Sequence, residues 1–339
     1  MNRKALFLIA LAVVGTSESV SAQGISSQCP PGSIKPNGDP DNTKIAQDLC
    51  QKAIDLFQYL APQLGAVLAG ANATQGLTGT LGGLGHFSVG IRGNLMQSAL
   101  PEIDRVVPAT RGAEQSNYTV SNRFIGLPTG DLAIGLFKGF PLGLTHAGGV
   151  DLLLSAAYLP NYNNSSVDIA VNSSSWKLGY GVKLGILQEG ALVPGVSLSI
   201  LTRALPDVSV IGTSGQDMLA LDSIRVTARS WRLVAGKSLL VFGGAVGIGG
   251  DTYTSDATLN VTIAPRPATP GGSGGPVFLT QKMTRSNAFA SAWMNILVVR
   301  LVGEIGRVSG GDAATYNQFS GTQPGDTRSY GSVGLSFGW

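Results

Sequence analysis

The sequence predicts an all-β protein, a transmembrane antiparallel up-and-down β-barrel of about ten strands that follows a short N-terminal helical segment. Three observations predict this fold. Only 13% of the residues are charged and the mean hydropathy is +0.21, values typical of a membrane protein. Beyond the N-terminal apolar run, no stretch has eighteen uninterrupted apolar residues, which disfavours membrane-spanning helices. Apolar and polar residues alternate instead, as they do in strands with one face toward lipid.

The first 22 residues are typical of a secretory signal peptide. Arg3 and Lys4 precede an apolar run over residues 5–14, and Val20-Ser21-Ala22 fits the small-x-small cleavage pattern. We therefore expect three parts. They are a signal peptide over 1–22, a periplasmic leader with an amphipathic helix over 23–83, and an outer-membrane barrel over 84–339.

Two cysteines, Cys29 and Cys50, lie close together after the expected cleavage site. In an exported chain such a pair predicts a disulfide, which would stabilise this segment by about 3 kcal/mol in the chain-entropy model. The two histidines, His86 and His146, are far away in sequence, so the cysteines do not suggest a metal site. We predict no metal and no cofactor.

Apolar residues recur at helical spacing between residues 44 and 64, after Asp41 or Asn42 as a helix cap. Pro62 should kink or interrupt this helix, and the glycine-rich stretch 70–85 should act as a hinge. The apolar stripe needs a partner surface. The sequence leaves open whether the helix plugs the barrel, caps it on the periplasmic side or binds another protein.

From His86 onward the pattern repeats every two residues. It is clearest over 176–186, where a shift by one residue would place two lysines in lipid at a cost of about 2–4 kcal/mol each. Eight or twelve strands stay open, because a long run could contain an extra turn. The ten predicted runs are 84–96, 127–139, 148–159, 165–188, 191–205, 218–235, 239–256, 279–294, 297–309 and 327–339.

The apolar positions of each run should face lipid and the polar positions should face the lumen. On this rule Ile224, Val226 and Ala228 are predicted to point outward. The predicted lumen-lining cations are Arg92, Lys177, Lys183, Arg203, Arg225, Arg229 and Arg300. They would form either a basic path for anionic solutes or, as we favour, a network paired with acids.

The connections predict the orientation in the membrane. Some are short, such as Glu189-Gly190, Gly236-Lys237 and Asn295-Ile296. Others are long and polar, and they include 97–126, 206–217, 257–278 and 310–326. Short periplasmic turns that alternate with long external loops are typical of outer-membrane barrels, so both termini should face the periplasm.

The C-terminal residues 330–339 alternate apolar and small polar side chains and end on Trp339. This end resembles the last strand of bacterial outer-membrane β-barrel proteins. The resemblance implies a Gram-negative outer membrane, contact with its lipid, and recognition of Phe337 and Trp339 by the barrel-assembly machinery. Phenylalanine is the usual last residue, so Trp339 departs from the pattern. The N-terminal helix also resembles the plug of FadL-type transporters of hydrophobic substrates, although those barrels have fourteen strands.

An enzyme is not expected. His86 and His146 are predicted at the periplasmic end, away from the external rim where barrel hydrolases need a histidine. Gly271-Gly272-Ser273-Gly274-Gly275 matches a nucleophile-elbow string but should lie in an external loop. The net charge of +3 does not suggest nucleic-acid binding.

The function predicted from the sequence is a narrow channel or transporter for a small hydrophobic or anionic solute. The alternative is a non-conducting structural or adhesive barrel that acts through its external loops.

Overall fold

The structure is a computed structural model. It describes residues 24–31, 42–102, 109–143, 145–163, 167–214, 216–265, 272–311 and 313–338. The predicted signal peptide and Trp339 lie outside the described residues.

The described residues form one helix and fifteen strands. The helix α1 spans Asn42–Ala69. The strands are β1 (Phe87–Pro101), β2 (Val120–Phe137), β3 (Phe140–Leu142), β4 (Thr145–Ala147), β5 (Gly149–Tyr158), β6 (Tyr162–Asn163), β7 (Val167–Val171), β8 (Trp176–Leu187), β9 (Gly195–Ala204), β10 (Val208–Ser214), β11 (Asp217–Leu239), β12 (Phe242–Ile263), β13 (Gly272–Ile296), β14 (Val299–Ser309) and β15 (Arg328–Gly338).

Ten antiparallel strands close into a ring. Neighbours in the ring follow the order β1, β2, β5, β8, β9, β11, β12, β13, β14 and β15, and β15 pairs again with β1. At the closure Val89 pairs with Phe337, and the rings of Phe87 and Phe337 lie 6.2 Å apart. A closed ring pairs every strand edge, which a sheet in lipid requires. The predicted barrel of about ten strands is confirmed.

The ring has two unlike ends. At the turn end the strands are joined by residues 138–148, 188–194, 240–241 and 297–298, and here β1 begins and β15 stops. At the loop end the connections are 102–119, 159–175, 205–216, 264–271 and 310–327. Short strands β10, β7 and β6 continue the sheet from β11 at the loop end, and β3 pairs with β4 at the turn end.

Several predicted boundaries are wrong, and most of the errors lie around the three longest strands. Residues 236–237 and 295–296 belong to strands, and the turns follow at 240–241 and 297–298. Most of 257–278 is also strand, so the Gly272–Gly274 part of the nucleophile-elbow string pairs with β12 and lies in no loop. The run 165–188 is two strands, β7 and β8. Cross-strand hydrogen bonds thus extend through segments whose glycines and prolines suggested turns.

Helix α1 is longer than predicted and continues through Pro62. Proline has no N–H, so the carbonyl of Gln58 loses its helical partner. Gln281 Nε2 on β13 donates a hydrogen bond to that carbonyl at 2.9 Å and replaces the missing contact. Within the described chain, no helix combines the length and apolarity needed to cross a bilayer.

The polarity of the wall reverses along the barrel axis. We call residues 217–229, 253–263 and 272–284 of β11–β13 the upper barrel, and the closed ring below them the lower barrel. In the lower barrel, outward side chains such as Val246 and Val333 are apolar and exposed. In the upper barrel, outward positions such as Thr254 are polar.

The inner face of the upper barrel is apolar and packs on α1. Val226, Ala228 and Leu259 are almost fully buried there. The prediction that Ile224, Val226 and Ala228 point outward is therefore wrong, and Arg225 and Arg229 are exposed on the outside instead. The rule that apolar residues face lipid fails here because these residues pack on a helix on the inner face of the wall.

Candidate functional site: the occupied lumen

Helix α1 lies inside the barrel wall. It contacts strands from several sides of the ring, namely β1, β2, β9, β11, β12 and β13. Most of its side chains are buried, including Ala53 and Leu68, and a Cβ at Gly65 would lie 2.5 Å from Cγ of Tyr253. The helix therefore fits against the wall with no spare space at that glycine.

The N-terminal half of α1 is fastened to the loops. The carboxylate of Asp48 accepts hydrogen bonds from the backbone N–H groups of Ala109 (2.7 Å) and Glu114 (3.1 Å). The carboxylate of Asp55 accepts bonds from the N–H groups of Tyr316 (3.1 Å) and Asn317 (2.8 Å). Burial raises the pKa of Asp55, and the hydrogen bonds from Asn317, Tyr316 and Gln51 oppose that shift.

An aromatic stack joins the same surfaces. The ring of Phe319 lies 4.1 Å from that of Tyr59 on α1 and 5.1 Å from that of Tyr118 in the β1–β2 connection. All three rings are buried. Stacked pairs at these distances stabilise a contact by about 0.5–1.5 kcal/mol beyond area burial. The described parts of the β1–β2 and β14–β15 connections thus pack with the helix at the loop end.

Halfway down, α1 is bound to β1. Gln63 Nε2 donates to the carbonyl of Ala99 at 3.0 Å, and the N–H of Ala99 donates to Gln63 Oε1 at 2.9 Å. This reciprocal pair satisfies the backbone N–H and the carbonyl of Ala99, which would destabilise the barrel if they were buried without partners.

Three arginines surround the C-terminal end of α1. Arg203 donates to the carbonyl of Ala69, Arg92 to that of Ala71, and Arg232 to that of Gly70 at 3.4 Å. The last carbonyls of a helix have no intrahelical partner, and the helix dipole is negative at this end. We call Arg92, Arg203 and Arg232 the arginine collar, because it supplies both the donors and the positive charge that this end lacks.

The collar is paired with two aspartates. Arg92 Nε lies 2.6 Å from Asp131 Oδ2, and Arg203 Nη2 lies 3.7 Å from Asp131 Oδ1. Arg232 Nη1 lies 2.7 Å from Asp251 Oδ1. All five side chains are buried or nearly so, and buried charges are stable only when paired. The geometry supports the paired network over a free basic path.

Below the collar, residues 70–85 fill the lower lumen; we call them the lumen segment. Lys183 Nζ donates to Thr74 Oγ1 (3.0 Å) and to the carbonyl of Leu77 (2.7 Å), and the N–H of Leu81 donates to Asp151 (3.1 Å). Further pairs join Asn72 to Glu304, Gln75 to Ser332, Thr78 to Glu189 and Thr80 to Gln188. The predicted hinge is therefore a segment bound to the lumen wall.

These contacts follow the barrel axis in order. Residues 48–55 meet the loops, Gln63 meets the upper part of β1, residues 69–71 meet the collar, and Leu81 meets Asp151 near the start of β5. A single chain therefore enters at the loop end and leaves at the turn end, where β1 begins.

The two ends of the described chain lie at opposite ends of the barrel. The predicted disulfide between Cys29 and Cys50 is present, and it lies at the loop-end part of α1. Gly338 lies at the turn end. The sequence predicts both termini on the same side, whereas the chain path separates the described N-terminal residues from the C-terminal strand; the residues before Gly24 and Trp339 lie outside the described residues.

Two small cavities that the described residues line lie beside the lumen segment. One, of about 30 Å³, is next to Thr74 and Arg92, and the other, of about 10 Å³, is next to Ala71 and Arg203. A buried water needs roughly 10–15 Å³. In this state these two cavities have room for single waters and not for a solute.

The predicted lumen cations lie in four kinds of place. Arg92, Lys183 and Arg203 are buried in the lumen, and Arg300 lies near the turn end with Nε 2.8 Å from Asn295 Oδ1. Lys177 is half exposed, 3.3 Å from Asp207. Arg225 and Arg229 are on the outside, as described above.

Three residues of the network were missed by the sequence analysis: Arg232, Asp131 and Asp251. Arg232 lies between Trp231 and Leu233, and that alternation alone would have placed it inward. The apolar residues Ile224, Val226 and Ala228 of the same strand indicate the opposite face, because they pack on a helix and not on lipid.

His86 and His146 both lie at the turn end, in the segment before β1 and in β4. Within the described part of the chain, no cluster of three His, Cys, Asp or Glu side chains could hold a metal ion.

No protein-family model and no curated protein sequence matches this chain. Three solved structures are similar to it. The outer membrane protease OmpT from Escherichia coli has 8% identity and a TM-score of 0.35, over 75% of this chain and 97% of that chain. An anion-selective porin from Comamonas acidovorans has 9% identity and a TM-score of 0.16, over 75% and 98%. A loop L8 deletion mutant of OmpT, an outer membrane protein of Vibrio cholerae, has 8% identity and a TM-score of 0.14, also over 75% and 98%.

The prediction that the chain is not an enzyme is corrected by this comparison. That prediction rests on the fold and on the positions of the two histidines. An outer membrane protease is among the solved structures that are similar to this chain. At a TM-score of 0.35 that likeness also carries no argument for an activity in this chain.

The assignment of the fold comes from the molecule itself. Its ten-stranded ring is closed, its lower wall is apolar outside and polar inside, and the collar arginines in its interior are paired with Asp131 and Asp251. The chain is a β-barrel of the outer-membrane kind.

Proposed function

We propose that this chain is a plugged outer-membrane transporter that is closed at rest and passes a small anionic solute when the lumen segment moves. The observation that supports this proposal is the contrast between the two halves of the threaded chain. Helix α1 is held by a packed apolar core, whereas residues 70–85 have no regular structure and are held largely by polar contacts.

Polar contacts of this kind are exchangeable. Each hydrogen bond is worth only about 0.5–1.5 kcal/mol net, because water can replace the partner. The donors that bind the backbone of the chain, on Lys183 and on the arginine collar, would also bind a carboxylate or phosphate. An anionic solute can therefore compete for the same donors that hold the segment in place.

A reversible disulfide between the lumen segment and the barrel wall tests the proposal. A Cβ built on Gly195 lies 2.9 Å from Cβ of Thr78, so the pair Thr78→Cys with Gly195→Cys should form a disulfide after a small shift. We expect anion conductance of refolded protein in planar bilayers, loss of conductance when the pair is oxidised, and recovery on reduction. Thr78→Cys alone and reductant-treated wild type are the controls. Absence of conductance in every state would refute transport.

We further propose that the loop end faces the outside of the cell and the turn end the periplasm, as in barrels with short periplasmic turns. The described N-terminal residues would then be displayed at the surface. A protease site inserted after Ser27 should be cleaved in intact cells, whereas the same site on a polar linker that reaches water from between Leu240 and Val241 should be cut only in lysed cells. Cleavage at the turn-end site in intact cells, with cleavage after Ser27 only in lysed cells, would show the opposite orientation. Recognition of Phe337 and Trp339 by the assembly machinery is a proposal as well.

A second candidate is a closed barrel that acts through its loop end. A specific observation favours it: α1 packs with the described parts of the β1–β2 and β14–β15 connections, and residues 313–324 line an open cleft of about 280 Å³ next to Phe319. Binding of cells to a glycan array, lost in the double variant Gln318→Ala, Gln323→Ala, with no conductance in wild type, would support this function.

A further inference from the structure

Every short turn at the turn end exposes a large apolar side chain. Leu240 and Leu297, at the tips of the two-residue turns, are 98% and 97% exposed. Leu192 in the β8–β9 turn is 86% exposed, and Phe140 in the β2–β5 connection is 69% exposed. Turns that project into water usually carry Gly, Asn, Asp or Ser, so four apolar turns at one end of a barrel require an explanation.

The backbone makes the choice of leucine more unusual. Leu240 has a φ of 55° and Leu297 a φ of 57°, in the left-handed region where Asn and Gly are favoured. Each is followed by a valine that is about half exposed, Val241 or Val298. The same Leu-Val pair thus occupies two separate turns in which local chemistry prefers a polar or glycine residue.

The apolar tips are continuous with the lipid-facing wall. Outward positions on β13 are apolar from Ala288 to Ile296, and the next outward residues are Ser286, Thr284 and Lys282. Nine strand residues at about 3.3 Å each, tilted by about 40°, give an apolar band roughly 23 Å tall. Outer-membrane barrels have an apolar band of about 25 Å. The apolar turn residues therefore add the height that the strands alone lack.

We propose that the four turns of the turn end are inserted into the lipid leaflet and serve as membrane anchors. The occupant of this surface is lipid, because the tips extend an existing lipid-facing wall and carry the side chains that lipid favours. The turn end then lies at the boundary between the hydrocarbon and the lipid headgroups, and the upper barrel projects from the other side of the membrane. This inference depends on the barrel fold and not on transport.

Depth measurement by spin labels tests it. Leu240→Cys and Leu297→Cys are labelled with the native disulfide intact, refolded into phosphatidylcholine vesicles, and compared for collision with oxygen and with a water-soluble nickel chelate. Two labels on β12 are the matched controls, Val246→Cys inside the apolar band and Thr254→Cys above it. We expect the tips to match Val246. The proposal would be overturned if the labels at positions 240 and 297 collided with the nickel chelate as often as the label at position 254.

A second variant does not depend on labels. Leu240→Gly with Val241→Asn places glycine at the turn position that has a positive φ and a polar residue at the next. If the turn were in water, this variant would be more stable than wild type, and a higher denaturant midpoint in vesicles would overturn the proposal. Because lipid disfavours both new residues, we expect a lower midpoint.

Discussion

The lower and upper barrel are built from the same three long strands, yet their faces are opposite in polarity. On β12 the outward Val246 and Ile248 are apolar and exposed, whereas the outward Thr254 and Thr258 are polar. Inward, Asp251 binds an arginine in the lower part, and Leu259 packs against α1 in the upper part. The difference shows that the solvent on each side, lipid below and water above, decides the pattern along one strand.

The largest expected effect comes from placing a charge inside the upper barrel. Leu259 is fully buried against the helix. Leu259→Arg should lower the free energy of unfolding by about 3–5 kcal/mol, because the new charge is buried without a partner. Denaturant titration in detergent measures it. The neighbour Thr258→Arg points outward and should change stability by less than about 0.5 kcal/mol. Equal effects of the two variants would show that the upper inner face is not apolar packing.

A charge on the outside of the lower barrel should have the next largest effect. Val246→Arg is expected to cost about 2–4 kcal/mol in vesicles, because the side chain faces the hydrocarbon. Thr254→Arg, eight residues along the same strand and also outward, should be close to neutral. Similar costs at both positions would mean that the apolar band extends over the upper barrel.

Removal of the Asp55 carboxylate should have a smaller effect. Asp55→Ala leaves the N–H groups of Tyr316 and Asn317 without their acceptor, at a cost of about 1–3 kcal/mol. The loss should be confined to the loop end. Hydrogen exchange should become faster in residues 313–322, while the lower-barrel amides keep their protection. Faster exchange throughout the ring would mean that the two regions are not separable.

The smallest expected effect is a pH dependence of the loop end. Burial raises the pKa of Asp55 above its ordinary value of 3.8. The unfolded chain therefore releases this proton first, and the stability gained from the protonated form is complete below pH 3.8 and is lost as the pH rises through the folded pKa. Protection of residues 313–322 should fall over this interval in wild type and less in Asp55→Asn. Identical pH profiles would exclude Asp55 as the group responsible.

The sequence by itself determined the barrel, because lipid requires a two-residue alternation that is visible in residues 176–186. It also predicted about ten strands, a disulfide between Cys29 and Cys50, and the lumen positions of Arg92, Lys183 and Arg203. Each of these follows from local spacing or from the choice between lipid and lumen at one position.

Only the tertiary structure decided the path of the N-terminal chain. The apolar stripe of α1 shows that it needs a partner, but any apolar surface would satisfy it. That partner is the inner face of the upper barrel, so Val226 and Ala228 turn inward and Arg225 and Arg229 outward. Strand polarity read from sequence assumes lipid outside and water inside. Where a helix fills the inside and water lies outside, the same alternation has the opposite meaning.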